Sequence, residues 1–354
     1  MPKPHLLVLN LATDADDPVL GFTTSWIGAF ARLCEHVDVI TMRVGRLDVP
    51  SNVSVHSIGK ERGYSEPRRV IEFYRALARV LSARRVDMCF AHMAPLFAVM
   101  ASPVLAPLRI PIVTWYAHPE CSATLRLAHR VSSGVVTSLA SAYPHRRDKL
   151  QVIGQGIDTD VFRAGNGAPN KRLILCAGRL SRVKDHPTLL RAAAILQREA
   201  PGSFEMKIVG GTARPEDAAY SSELGIQARE AGLGSAVEFV GPVVRDEMPH
   251  WYRRAALHVN LTAKGFGDKV ALEAMSCGTP CLTANTDLRQ TLGVHAEALL
   301  FAPGDAADLA SKIRRVLEMP NDRRIEMGTY LREQVVQLHG LHKLASRVLE
   351  IGSR

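Results

Sequence analysis

Two cationic side chains stand close together on one short loop of the sequence. Arg179 and Lys184 lie in the string GRLSRVKDHP, which begins at Gly178, follows an apolar run and precedes a helical pattern. A guanidinium offers a planar fork of hydrogen-bond donors and an ammonium offers a point charge, so that together they suit a diphosphate. The spacing therefore predicts a phosphate site on a strand-to-helix loop. A solvated basic loop is the alternative that the spacing leaves open.

A second block opens a helix from a loop that carries glycines. It occupies residues 265–280 and runs GFGDKVALEAMSCGTP. Free backbone N–H groups and the positive end of the helix dipole favour phosphate at such a start. Glu273 lies about a turn and a half into the helix, where its carboxylate can accept hydrogen bonds from sugar hydroxyls. The alternative interpretation is a solvated helix residue.

Strands and helices must position these loops, and the sequence alternates the two. The candidate strands are residues 5–11, 37–42, 53–57, 86–91, 110–115, 134–138 and 150–154, and then 173–176, 206–209, 237–240, 257–261 and 281–283. Apolar strands that alternate with helical patterns predict parallel sheets covered by helices. A stretch rich in Gly, Asn and Pro at 163–171 predicts a linker. We therefore expect an α/β chain of two Rossmann-like doubly wound domains, residues 1–164 and 165–339, with the carboxyl ends of both sheets across one central cleft.

The composition is that of a globular protein with an excess of positive charge. The 354 residues are 47% hydrophobic and 22% charged, and the formal net charge is +9. The length predicts two domains, and the charge favours acidic partners such as phosphorylated substrates, anionic lipid or nucleic acid. Prolines and an arginine interrupt the most apolar stretch, residues 95–113, so no membrane span is expected. The sequence shows neither a signal-peptide pattern nor a CxxC pair among its six cysteines, which predicts a cytoplasmic protein.

The carboxyl-terminal half resembles the retaining family-4 glycosyltransferases, which have the GT-B fold. The matching strings are GRLSRVKDHPTLLRAA, FEMKIVGG, VEFVGPV, MPHWYRRAALHVNLT and ALEAMSCGTPCL. Weaker matches in the amino-terminal half are VDMCFAH, IPIVTWYAH and KLQVIGQGIDTDVF. By this resemblance the chain would transfer a sugar from a nucleoside-diphosphate sugar to an acceptor, with retention of the anomeric configuration. A last helix, within 340–354, would pack back on the first domain as in related enzymes.

The resemblance also implies roles for individual residues. Arg179 and Lys184 would bind the pyrophosphate of the sugar donor, and Glu273 would bind its ribose. His118, at the end of the string WYAH, would face the transferred sugar, and a structural hydrogen bond is the alternative for it. The candidate catalytic residues are thus His118, Arg179 and Lys184. The candidate residues for binding the sugar donor are Gly21, Gly178, Gly265, Phe266, Gly267, Asp268, Lys269, Val270 and Glu273.

One position departs from the family pattern. Family members commonly carry two glutamates eight positions apart, the first of which touches the sugar hydroxyls, whereas here Gly265 precedes Glu273 by eight positions. In a variant branch of the family, a Phe-Asp-Lys arrangement precedes the second glutamate, and this branch resembles the chain more closely. Asp268 and Lys269 match that arrangement if the short loop is aligned with a shift of one residue. The departure leaves open which sugar donor the chain would use, and the nucleotide base is open as well.

The loop after the first predicted strand runs DADDPVLGFTTS over residues 14–25. Gly21 allows a close backbone approach, and the hydroxyls that follow can cap a helix or bind phosphate. The loop lacks the GxGxxG fingerprint, which argues against an NAD-linked enzyme. The family resemblance puts this loop beside the sugar donor and the acceptor.

Two short acidic pairs, Asp14 with Asp16 and Asp158 with Asp160, could each hold a divalent ion. Cationic side chains and a helix dipole can neutralise a diphosphate instead. We therefore predict no metal and no cofactor besides the nucleotide-sugar substrate.

The predicted helix at 68–85 has a basic side and an apolar side on a helical wheel. Arg68, Glu72, Arg75 and Arg79 form the first, and Val70, Tyr74, Leu77 and Leu81 form the second. The apolar side is expected to pack on the sheet. The basic side could rest on anionic lipid at the inner face of a membrane or guide an acidic acceptor, and an ordinary solvated face is the alternative.

Several functions stay open at this point. The positive charge favours a lipid-linked or cell-envelope glycan as the acceptor, and a small natural product is the alternative. The loss of the first glutamate leaves room for a catalytically silent nucleotide-sugar binding protein, and a sugar-nucleotide epimerase is a further candidate. Nucleic-acid binding is not expected, because no recognised motif is present and only 6% of residues are aromatic.

Overall fold

The computed structural model describes residues 3–17, 19–165, 167, 169–212, 215–265, 267 and 269–353, and of Pro215 and Glu216 only the backbone. The chain divides into two compact units. The first unit consists of Met1–Asp158 and His339–Arg354, and the second consists of Thr159–Leu338. Each unit is built around its own sheet.

Strands and helices alternate along the described chain. The strands are β1 (His5–Asn10), β2 (His36–Thr41), β3 (Val53–Ser57), β4 (Met88–His92), β5 (Ile112–Trp115), β6 (Gly134–Thr137), β7 (Leu150–Val152), β8 (Asn170–Ala177), β9 (Glu205–Val209), β10 (Val237–Gly241), β11 (Ala255–Asn260) and β12 (Cys281–Thr283). The helices are α1 (Phe22–Leu33), α2 (Glu66–Ala83), α3 (Pro95–Leu105), α4 (Ala123–Val131), α5 (His186–Glu199), α6 (Pro215–Glu230), α7 (Met248–Arg254), α8 (Lys269–Ser276), α9 (Arg289–Leu292), α10 (Ala296–Leu299), α11 (Ala306–Glu318), α12 (Asn321–His339) and α13 (Leu341–Gly352).

The first unit holds a parallel sheet in the order β3-β2-β1-β4-β5-β6-β7. The interior strand β1 is apolar on both faces. Leu6 and Val8 belong to one buried cluster, and Leu7 and Leu9 belong to another. Residues of α1 and α13 complete the first cluster, and residues of α2 and α3 complete the second. The two-residue period of the strand therefore supplies a core on each side of the sheet.

Helix α13 is part of the core of the first unit. Leu344 and Val348 are fully buried in the same cluster as Trp26 and Phe90. A Cβ placed on Gly134 of β6 would lie 2.6 Å from Cγ2 of Ile351. The helix thus lies directly against the sheet, where a larger residue at position 134 would push it away.

Helix α2 is rotated relative to the expectation from the helical wheel. Its buried residues are Phe73, Ala76, Leu77 and Val80, whereas Val70 and Tyr74 are 43% and 39% exposed. The prediction that Val70 and Tyr74 pack on the sheet was therefore wrong. The fully buried ring of Phe73 sets the rotation of the helix, because it fills more space between helix and sheet than its neighbours do.

The second unit holds a parallel sheet in the order β10-β9-β8-β11-β12. Arg332 of α12 ties the first residues of the unit to the end of α8. Its Nη1 donates hydrogen bonds to the carbonyl oxygen of Phe162 at 3.0 Å and to that of Ser276, and its Nη2 donates to Thr159 O at 3.4 Å. One guanidinium therefore satisfies carbonyl groups from two separate segments.

Both units have a parallel sheet with helices on its faces, so the predicted fold class of two Rossmann-like doubly wound α/β units is confirmed. Within the described parts of the chain, no helix combines the length and the apolar character that crossing a membrane requires.

Candidate functional site

Gly178 and Lys184 meet at the turn that leads from β8 into α5. Gly178 has a φ of 131°, a conformation that favours glycine. A Cβ at this position would lie 3.3 Å from both Cε and Nζ of Lys184, so the ammonium is held over the bare backbone of the glycine. The cation is thereby placed at the carboxyl end of the central strand of the second sheet, where ligands of such sheets bind.

Glycines of the neighbouring strands hold this turn in place. Gly178 N donates to Val209 O at 2.9 Å, Leu180 N donates to Gly211 O at 3.0 Å, and Gly210 N donates to Gly241 O at 2.9 Å. These bonds continue the pairing of β8, β9 and β10 beyond the ends of the strands. Gly210 has a φ of 147°, and a Cβ there would overlap the carbonyl group of Gly178. The turn can adopt this shape only if position 210 is glycine.

The three cations of this loop differ in their surroundings. Arg182 forms an ion pair with Glu223 at 2.9 Å, and its guanidinium lies 5.0 Å from the centre of the Tyr220 ring. Arg179 is exposed, and no described residue forms a hydrogen bond or an ion pair with it. Lys184 is half-buried. Arg179 is therefore a cation of the loop that could serve an anionic ligand, and Lys184 lies over Gly178 in the same loop.

His186 begins α5 immediately after this loop and is 2% exposed. Its Nδ1 lies 3.4 Å from the hydroxyl of Tyr220. Burial, together with the nearby positive charge of Lys184, lowers the pKa of His186 from 6.5 to about 4. The imidazole is therefore neutral in the folded protein at pH 7, and it adds no charge to this loop.

The pKa of His186 predicts acid sensitivity of the second unit. The pKa of His186 is lower in the folded state than in the unfolded chain, so protonation favours the unfolded chain. The contribution of His186 to the free energy of unfolding is therefore fully present above pH 6.5 and is lost as the pH falls toward 4. We expect the free energy of unfolding to fall by about 2 kcal/mol between pH 7.5 and pH 5 from this residue. Urea titrations followed by circular dichroism measure it. His186→Gln should reduce the dependence on pH, whereas substitution of the exposed His250 should not; equal reductions in both variants would contradict the assignment.

The second loop brings several charged groups to the start of α8. The ammonium of Lys269 is buried, and burial lowers its pKa well below the ordinary value, although the nearby Glu273 carboxylate opposes this shift. The positive charge of Arg245 lowers the pKa of Lys269 as well. The hydroxyl of Tyr252 donates to Glu273 Oε2 at 3.3 Å. Glu273 is thus oriented by a tyrosine and attracted by a lysine one helical turn away.

The remaining predicted residues of this loop have different positions. Gly265 is half-buried, and its N–H donates to Asp287 Oδ2 at 2.9 Å. Gly267 and Val270 are half-buried on either side of the start of α8. Phe266 and Asp268 lie outside the described residues. The loop follows the carboxyl end of β11, and β11 pairs in parallel with β8. Both candidate loops therefore lie at the carboxyl ends of neighbouring strands.

His118 and Gly21 lie in the first unit, at the carboxyl edge of its sheet. His118 follows β5 and is exposed, and its Nδ1 accepts a hydrogen bond from Glu120 N at 3.2 Å. Gly21 precedes α1. A Cβ on Gly21 would lie 2.7 Å from Asp17 O and 2.9 Å from Ala15 O, so the close approach at this glycine is to its own loop. The structure therefore assigns each residue to a strand-end loop of the first sheet.

The acidic pair of the first loop is bound by Arg46, which lies in the segment after β2. Asp16 forms an ion pair with Arg46 at 2.8 Å, and the hydrogen bond from Arg46 lowers the pKa of Asp16. Asp14 Oδ1 accepts from the N–H groups of Asp16 and Arg46. In the described parts of the chain, no group of three or more His, Cys, Asp or Glu side chains has an arrangement that could hold a metal ion. Metal independence stays a prediction.

Three residues of this site were not singled out from the sequence. The signal for Gly210 was present, because a Gly-Gly pair ends the strand string FEMKIVGG. No spacing could indicate Arg245 and Tyr252, since they come from the segment after β10 and from α7. Their relation to Lys269 and Glu273 depends on tertiary packing alone.

Comparison with known proteins places the second unit in a described family. The model of the family described as glycosyl transferases group 1 matches residues 158–334, which is half of the chain. D-inositol 3-phosphate glycosyltransferase from Frankia alni is 28% identical over 75% of this chain and 69% of its own length. D-inositol 3-phosphate glycosyltransferase 2 from Catenulispora acidiphila is 29% identical over 52% of this chain, and the match spans 46% of that relative's length.

A solved structure has the same fold. The crystal structure of Anabaena Alr3699/HepE in complex with UDP and glucose matches with a TM-score of 0.74 and 19% identity, covering 98% of each chain. The similarity extends over both Rossmann-like units. From the family match over residues 158–334, we conclude that this chain belongs to the group 1 glycosyl transferases.

Proposed function

We propose that the chain binds a nucleoside-diphosphate sugar at the carboxyl end of the second sheet and transfers the sugar to an acceptor. The observation that carries the proposal is the position of the Lys184 ammonium over Gly178, 3.3 Å from where a Cβ would stand. A phosphate group can approach a glycine backbone closely, and the cation is already in place there. The exposed guanidinium of Arg179 is next in the chain and is available to the same ligand.

The proposed mechanism is electrostatic. As the glycosidic bond breaks, negative charge grows on the leaving diphosphate, and the sugar gains oxocarbenium character. Lys184 and Arg179 stabilise this charge without reorganisation, because hydrogen bonds from Gly178 N and Leu180 N hold the turn that carries them. Glu273, which is oriented by Tyr252, binds the ribose hydroxyls.

We further propose that transfer proceeds with retention of the anomeric configuration, as the family-4 resemblance implies. A double displacement needs a carboxylate close beneath the anomeric carbon. No carboxylate is assigned to that role here, so attack on the same face, assisted by the phosphate of the sugar donor, is the proposed route. His118 of the first unit is proposed to face the transferred sugar.

The names of similar proteins suggest which ligands to try first. The Anabaena protein was crystallised with UDP and glucose, which favours a UDP-sugar as the donor. The two relatives are named for D-inositol 3-phosphate, which favours a phosphorylated polyol as the acceptor. An acceptor with a phosphate group also agrees with the net charge of +9.

A lipid-linked or cell-envelope glycan is the second candidate acceptor, because α2 exposes apolar and basic residues together. Val70, Ile71 and Tyr74 are 39–52% exposed, and Arg68 and Arg79 are exposed on the same helix. Such a surface suits anionic lipid. In this version of the proposal the protein is cytoplasmic and contacts the inner face of the membrane through α2.

The experiment begins with binding of UDP-, GDP-, ADP- and TDP-sugars to the purified protein by calorimetry and thermal shift. We expect one nucleotide to raise the melting temperature as its concentration exceeds the Kd. Release of nucleoside diphosphate is then measured with D-inositol 3-phosphate in solution and with lipid-linked acceptors in anionic vesicles. NMR of the anomeric proton of the product reports retention or inversion. A folded protein that binds none of the nucleotide sugars would contradict the proposal, and tight binding without transfer would favour a silent binding protein.

A further inference from the structure

A cleft opens at the opposite edge of the second sheet, away from both candidate loops. It has a volume of about 360 Å³. Its floor is formed where strands begin: Pro169 precedes β8, Ala255 and Ala256 begin β11, and Pro280 precedes β12. Since all these strands are parallel, their amino ends lie a full strand length from the turn that carries Lys184.

Arg324 lines this cleft and is 3% exposed. Its Nη2 donates to Asn321 Oδ1 at 3.0 Å. Its Nη1 is buried and has no hydrogen-bond partner among the residues that the structure describes. Burial lowers the pKa of this guanidinium, yet an arginine stays charged at neutral pH. A buried cation without a counter-charge is destabilising unless a ligand supplies one.

The other groups of the cleft reinforce its positive character. Arg253 also lines it, and the side chain passes over Gly165, where a Cβ would lie 2.6 Å from its Cδ. No acidic residue is among the described residues that line the cleft. Cys277 adds no negative charge, because burial raises the pKa of its thiol to about 12. The cleft also includes Asn321, the first residue of α12, where the helix dipole favours an anion.

We propose that this cleft is a binding site for a small phosphate monoester, distinct from the nucleotide-sugar site. The two guanidiniums of Arg324 and Arg253 bind the phosphate group, for which arginine has a suitable fork of donors. The apolar side chains of Ala255, Ala256 and Ile325 contact the organic part of the ligand. The inference does not depend on the proposed transferase activity.

Titration of the protein with inorganic phosphate at constant ionic strength tests the site, with the melting temperature of the second unit as the readout. Above the Kd, we expect the melting temperature to rise by about 3 to 6 °C for each tenfold increase in phosphate. Arg324→Met should abolish this shift. Lys184→Ala should keep it, because Lys184 belongs to the other edge of the sheet. Loss of the shift in Lys184→Ala, or its survival in Arg324→Met, would overturn the proposal.

Two further measurements separate a ligand site from a structural role for Arg324. Without phosphate, Arg324→Met should melt at the same temperature as the wild type or higher, because a methionine removes the uncompensated charge; a large decrease would favour a structural role. If that variant does not fold, Arg253→Gln replaces it and should weaken phosphate binding at least about tenfold. Glycerol 3-phosphate should bind more tightly than phosphate, and equal or weaker binding would contradict a site for an ester.

Discussion

Lys184→Ala is expected to lower the rate of sugar transfer by about two to three orders of magnitude, as loss of one preorganised charge at a transition state does. The ammonium is placed over Gly178 before any ligand arrives, so its contribution needs no rearrangement during the reaction. Folding should not change, because Lys184 is half-buried at a turn and the turn is held by backbone hydrogen bonds. Steady-state kinetics with the preferred nucleotide sugar, together with circular dichroism, measure both effects.

Arg182→Ala is the matched control for this variant. It removes a cation of the same loop that is already paired with Glu223, so the rate of transfer should stay within about twofold of the wild type. Lys184→Arg should not restore the wild-type rate, because the guanidinium is broader than the ammonium that rests on Gly178. Equal losses in Lys184→Ala and Arg182→Ala would mean that the general positive charge of the loop matters and the placed ammonium does not.

Gly210→Ala is expected to destabilise the second unit by about 3 kcal/mol or more, through steric overlap and backbone strain together. The new Cβ would overlap the carbonyl group of Gly178, and neither partner is a flexible side chain that could move aside. The ends of β8 and β9 would have to separate. The variant should therefore lose nucleotide affinity as well as stability, which urea titration and calorimetry can measure on the same sample.

Gly202→Ala separates the two causes. Gly202 also has a positive φ, of 74°, but a Cβ there would meet no atom within 4 Å. Its substitution should cost only the backbone strain, about 1 kcal/mol, and should leave nucleotide affinity unchanged. If both glycine variants lost the same free energy of unfolding, backbone conformation alone would explain the loss. Steric overlap with Gly178 would then contribute nothing to it.

The sequence was most informative where local pattern and burial agree. The continuous apolar run of β1 predicted a strand that is buried on both faces, and residues 6–9 are so buried. The linker was predicted at 163–171, yet β8 begins at Asn170. The first three residues of this strand are exposed and polar, so nothing in their hydrophobicity distinguishes them from a loop. Strand pairing with β11 decides their conformation.

The candidate site was predictable to the extent that it is local in sequence. Gly178 and Lys184 are six residues apart, and their contact follows from one turn. The charge of Arg245 acts on Lys269 across 24 positions, and Tyr252 forms a hydrogen bond with Glu273 across 21. Both interactions exist only after the sheet has formed. The rotation of α2 was missed for a related reason, since it depends on how Phe73 fits the sheet.

The place of α13 in the first unit has a consequence for the order of events during synthesis. Leu344 and Val348 belong to the same core as Trp26 and Phe90, but the ribosome makes them only after the whole of Thr159–Leu338. At ordinary elongation rates this interval is on the order of 10 to 40 s. During that time α1 and one face of the first sheet lack the helix that covers them. The unit that is synthesised first thus completes its core last, and chaperones that bind apolar surface have their longest opportunity at the amino-terminal part of the nascent chain.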